Sequence, residues 1–177
     1  MDIISHGLWG AFGFGRNNRK HFWWAFFFGI APDLFSFGVF LGLAVFGLVE
    51  HPDWSSGRHP DPAQIPLFVH QLYNVTHSLV IFILVFGVVW FFRRAPLFVL
   101  LAWGLHIVMD IPTHSYAFFP TPFLWPLSEF TVDGISWSHP FIFLPNVILL
   151  IILYAWFWYG RYKRKSSLYE DLPLQKS

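Results

Sequence analysis

The sequence predicts an all-α, polytopic membrane protein with four to five transmembrane helices and a His/Asp cluster in the outer half of the bilayer. Three observations carry that expectation. Charged residues make up 12% of the chain against 55% hydrophobic ones, about half the charge of a soluble domain. Long apolar stretches alternate with short basic clusters, and His and Asp residues interrupt those stretches at similar depths. The 177 residues allow one helical membrane domain, 1–165, followed by a polar cytoplasmic tail, 166–177. A net charge of +1 argues against nucleic acid as a partner and leaves membrane lipids as the expected one. With no cysteine, any metal must take nitrogen and oxygen ligands.

The elements follow in chain order. "MDIISHGLWGAFGFG" is apolar apart from Asp2, Ser5 and His6, and lacks the basic start and cleavage site of a signal peptide, so it is expected to be a retained helix. Four further segments, 22–49, 77–92, 96–111 and 140–159, approach the roughly 20 residues that a bilayer crossing needs. Within the first, "GIAPDL" marks an interruption at Pro32. In the second, His77 is expected to head the helix, with Thr76 or Asn74 as its N-cap. If the opening helix crosses, there are five spans; if it only dips in, four.

Orientation follows from the basic residues. "RNNRK", Arg93–Arg94 and "RYKRK" hold nine of the eleven Lys and Arg residues, which places all three clusters on the cytoplasmic side of the membrane. The opposite loops, 51–72 and 112–139, are rich in proline and hold Asp53, Asp61, Glu129 and Asp133 with one basic residue, Arg58. His51, His59 and His139, beside prolines in those loops, are expected to be solvated. "FFPTPFLWPLSEFTVDGISW" is too aromatic for a free linker and is expected to fold over the outer end of the helices.

A rise of about 1.5 Å per residue then gives each polar residue a depth. His6 stands about 15 Å above Arg16, His106 about 18 Å above Arg94, Asp33 about 18 Å above His21, and His77 and Asp110 about 24 Å above the nearest arginine. One layer therefore holds five ionisable residues. Asp33 in a span costs about 2.5 to 3.5 kcal/mol on insertion scales, which marks it as a functional candidate unless it merely sits at the "APD" break. His106 and Asp110 lie four residues apart on one helix face, a spacing that grips an ion or makes a buried hydrogen-bonded pair. Together, three His and two Asp in a low dielectric need compensation, and a divalent cation, most simply zinc, supplies it. His6, Asp33, His77, His106 and Asp110 are thus the candidate metal ligands, with Asp33 and Asp110 the candidate catalytic carboxylates. His70, Thr76 and His114 are placed for supporting contacts. A proton- or ion-coupled transporter would use the same residue types, and a scaffold with a structural metal is a third reading.

"ISHGLWG", "APD", "YNVTHSL", "HIVMD" and "PTPFLWPLSEF", in that order over residues 3 to 140, resemble the bacterial inner-membrane family of membrane-bound metal-dependent hydrolases, also described as LexA-binding hydrolases of the YdjM type. The resemblance implies a multi-pass helical protein with a metal centre and hydrolase activity. The chain departs from that pattern where the family carries Asp-x-Asp and a basic residue before Thr-His-Ser, since Leu34–Phe35 follows Asp33 and Asn74–Val75 precedes Thr76. The order His, Asp, His, His-x-x-x-Asp is also similar, more distantly, to the zinc-dependent phospholipases C. That likeness implies one ion on Asp33, His77, His106 and Asp110, and a second on His6 with Asp110 bridging. It further implies cleavage of a phosphoester, lipid phosphoesters included, by a metal-activated water.

Overall fold

The computed structural model describes residues 1–50 and 62–170, and every regular element among them is helical. The loop 51–61, with His51 and His59, and residues 171–177 lie outside the described residues. Two helical runs, Arg19–Val45 and Pro140–Lys163, are long and apolar enough to cross a membrane, and a bent pair of helices adds a third if it counts as one span.

Helix α1, Ile3–Phe14, starts because the Asp2 carboxylate accepts the Ser5 backbone N–H at 2.9 Å, the side-chain cap that a helix N-terminus otherwise lacks. Its 12 residues reach about 18 Å, less than the roughly 30 Å hydrocarbon core. A tight turn leads to α2, Arg19–Asp33, capped by Asn18 through the His21 N–H at 2.8 Å. Pro32 does not end this span, as the sequence had suggested. A single π-helical turn, Leu34–Gly38, follows and passes the chain on to α3, Val39–Val45, while the Ser36 hydroxyl donates to the Pro32 carbonyl at 2.8 Å. Asp33 sits at the start of that irregularity, a setting in which π turns are common at functional sites.

α1 and α2 pack backbone to backbone. A Cβ on Gly29 would lie 2.6 Å from the His6 carbonyl oxygen, and one on Gly10 would lie 2.8 Å from the Ala25 carbonyl oxygen. Small residues are therefore required at this interface, which is how helices associate where lipid offers no hydrophobic drive. α6, Leu101–Thr113, packs against both, with Ala25, Val99 and Ala102 buried together at the junction.

The segment 77–92 proves to be part of a longer unit. α4, Leu67–Thr76, and α5, Leu79–Arg93, meet at a 56° bend. His77 closes α4 as its C-cap rather than heading a helix, and Ser78, not Thr76 or Asn74, caps α5 by accepting the Ile81 N–H. Phe82, Leu100 and Ile107 join α5 to α6, and Phe40, Val69, Tyr73 and Phe119 join α3 and α4 to the long loop after α6. That loop is clasped at both ends. Leu79 N–H donates to Phe123 O at 2.9 Å and Ser78 to Trp125 O beside His77, while Gly134, Ile135 and Trp137 donate to the carbonyls of His114, Pro112 and Thr113. α7, Pro140–Glu170, is one long helix that continues through 166–170 of the expected tail. Only 11% of its span is buried, so its apolar surface faces outward, as it would toward lipid.

Candidate metal centre

Asp33 at the end of α2, His77 at the α4–α5 bend and His106 and Asp110 on α6 meet in the interior, each offering one ligand atom within 4.8 Å of the others. The His77, His106 and Asp110 side chains are fully buried, and Asp33 keeps 18% exposure. Backbone carbonyls fix the two rings. His106 Nδ1 lies 2.7 Å from Gly29 O, and His77 Nδ1 lies 3.2 Å from Tyr73 O and 3.0 Å from Thr76 Oγ1. A carbonyl only accepts, so each Nδ1 carries the proton and each neutral Nε2 turns a lone pair inward.

Those two Nε2 atoms face each other at 3.1 Å. Asp110 Oδ2 stands 3.1 Å from His106 Nε2 and 3.6 Å from His77 Nε2, and Asp33 Oδ1 stands 3.8 and 3.4 Å from the same atoms. Asp110 Oδ2 is buried with no hydrogen-bond donor. Four electron-pair donors thus converge with no proton between them in the neutral state, an arrangement that is costly without a cation. At zinc–ligand distances of about 2.1 Å, tetrahedral ligand atoms stand about 3.4 Å apart, so the donor set fits such an ion in spacing and in type. Two carboxylates would also balance its charge.

The other oxygen of Asp110 faces a second group. His6 Nε2 is 2.9 Å and His114 Nε2 is 3.5 Å from Oδ1, with the Met1 amino group against the same atom. His114 Nδ1 lies 2.9 Å from Phe119 O and 3.2 Å from the Tyr73 hydroxyl, which itself donates to Phe119 O. Burial lowers the affinity of His114 for a proton below the usual imidazole value, with Asp110 opposing. The His6 ring stacks on His106 with centroids 3.7 Å apart.

All five residues singled out by depth therefore come together. Of the three supporting candidates, His114 touches Asp110 and Thr76 touches the His77 ring, whereas His70 bonds Pro62 O at 3.1 Å and stacks on Phe119. His139 sits at the start of α7, accepting the Phe141 N–H. Sequence reasoning missed Gly29 and Tyr73. Tyr73 stacks on His77 at 3.8 Å; its place one helical turn before His77 was the available signal. The contribution of Gly29 is a carbonyl, which no side-chain pattern reveals. Compared with family models, with curated proteins and with solved structures, the chain matches none.

Proposed function

We propose that this protein is a membrane-bound metal-dependent hydrolase that cleaves a phosphoester, with zinc held by Asp33, His77, His106 and Asp110. The observation that carries the reading is the buried Asp110 Oδ2, without a hydrogen-bond donor and facing two imidazole nitrogens whose protons are engaged elsewhere. Mixed imidazole and carboxylate ligands suit zinc. Such an ion lowers the pKa of its bound water from 15.7 to about 7 and polarises a phosphoryl oxygen. Within the chain, Asp110 supplies buried counter-charge on a rigid helix, and Asp33, the partly exposed ligand, stands where substrate would approach. The resemblance to metal-dependent hydrolases supports the same reaction class, and the pairing of His6 and His114 with Asp110 Oδ1 supports a bridging role for that carboxylate. We place four to five membrane segments in a bacterial inner membrane, with basic loops cytoplasmic, the cluster in the outer half and lipid phosphoesters as accessible substrates.

The test is metal analysis of purified protein together with hydrolysis of a panel of phospholipids and artificial phosphodiesters, with and without chelator. About one to two divalent ions per chain and chelator-sensitive cleavage are expected. Protein that folds without metal and takes none up on titration refutes the ion. Bound metal with no cleavage, and flux of protons or ions in vesicles instead, assigns the cluster to transport.

A further inference from the structure

His77, His106 and His114 each have Nδ1 hydrogen-bonded to a carbonyl, of Tyr73, Gly29 and Phe119 respectively. His6 does not. Its Nδ1 is buried without a partner, and its single polar contact is Nε2 to Asp110 Oδ1 at 2.9 Å. Beyond its stacking on His106 and its bond to Asp110, that ring lacks the carbonyl tie of the other three, and its place depends on the first turn of α1, which a polar chain links to α7.

Asn146 is a polar residue inside an outward-facing apolar span, yet only 7% exposed. Trp9 Nε1 can only donate, and it does so to Asn146 Oδ1 at 2.8 Å, which fixes the amide so that Nδ2 points the other way. Nδ2 donates to Ser5 Oγ at 2.8 Å, and Ser5 Oγ in turn donates to Asp2 Oδ2 at 2.6 Å. Asp2 Oδ1 accepts the Ser5 N–H, and Asp2 O accepts the His6 N–H at 3.2 Å. Each donor in this sequence has one acceptor, so its direction is unambiguous. A second tie between the same helices, the Tyr154 hydroxyl donating to Leu8 O at 2.9 Å, anchors α7 without touching the first turn.

We propose that Asn146 is a positioning residue for His6: from α7 it locks the first turn of α1 through Ser5 and Asp2, and so keeps the His6 imidazole against Asp110. The consequence for metal affinity rests on the ion reading above, whereas the positioning itself does not. A buried amide in a lipid-facing helix is costly unless fully bonded, and here both of its bonds go to α1, the one it donates ending on Ser5, the residue before His6.

The experiment uses full-length protein in detergent, with Asn146→Leu, Ser5→Ala, the double variant and Tyr154→Phe. Two quantities are read: the rate of His6 modification by diethylpyrocarbonate, located by mass spectrometry without added metal, and zinc affinity. Asn146→Leu and Ser5→Ala should each speed His6 modification several-fold, the double variant no more than either, because they break one chain. Tyr154→Phe should leave the rate unchanged. Zinc should bind roughly threefold to tenfold more weakly in the first three variants, at or below the usual effect of supporting groups. Unchanged modification of His6 in Asn146→Leu, or an equal rise in Tyr154→Phe, overturns the proposal. If Asn146→Leu does not fold, Ser5→Ala, which keeps the Trp9 and Tyr154 ties, decides it. Wild type that takes up no zinc while the His6 effect persists ends the ion reading and leaves the positioning role standing.

Discussion

Gly29 and His106 are joined across α2 and α6 by a 2.7 Å hydrogen bond from imidazole Nδ1 to a backbone carbonyl, and the same glycine lets α1 approach so closely that its missing Cβ would lie 2.6 Å from the His6 carbonyl oxygen. One residue thus serves two purposes. It sets the tautomer of a ligand and brings another His beside it, so that the His6 and His106 rings stack.

Gly29→Ala should therefore act on stability and on metal together. The added methyl forces α1 away from α2, an overpacking cost of roughly 1 to 3 kcal/mol, and displaces the carbonyl that orients His106. A lower thermal midpoint and weaker zinc uptake are expected. Wild-type values for both would show that the close approach does not position the ligands.

Much of this is legible in the sequence. Depth counting singled out His6, Asp33, His77, His106 and Asp110 because a helix converts residue number into height, and the structure brings these five side chains together. The spacing of His106 and Asp110 fixed their shared face. What depth counting cannot see is backbone: the Gly29 carbonyl, the π turn after Pro32, and the bend that makes His77 a C-cap all depend on where main-chain groups find partners. Asn146 stayed hidden for a related reason, since its value lies in a partner 141 residues away.

Metal binding should make stability depend on pH in a particular direction. The imidazole ligands must be neutral and the carboxylates ionised to hold an ion, so protons compete with it. At a hundredfold excess over its dissociation constant, zinc should add about 2.7 kcal/mol near neutral pH. That increment should shrink as the pH falls and protons compete with the ion for the ligand nitrogens and carboxylates. Thermal midpoints with zinc and with chelator, measured from neutral to acid pH, check it; an increment that does not shrink anywhere on acidification would exclude these ligands.

Topology can be checked independently of the chemistry. The three basic clusters predict that reporter fusions after Arg94 and Lys165 read cytoplasmic, and that fusions within 52–64 and near Asp133 read extracytoplasmic. Reversed signals would move the cluster to the cytoplasmic half and remove the outer leaflet as the source of substrate.

The sharpest test is on Asp110, whose two oxygens face two different sets of nitrogens. Asp110→Asn keeps the side-chain volume and removes the charge that balances a cation. If the carboxylate holds an ion, bound metal and phosphodiesterase activity should fall together while the helical fold survives. His106→Ala should lose metal in the same way. If Asp110 is instead only a buried partner for neighbouring histidines, the variant keeps a neutral hydrogen bond. It then loses about 1 to 3 kcal/mol of stability, with metal content the same as in wild type. Metal analysis, melting and hydrolysis on the three proteins separate the cases. Equal metal and equal turnover in wild type, Asp110→Asn and His106→Ala would remove the ion from this cluster.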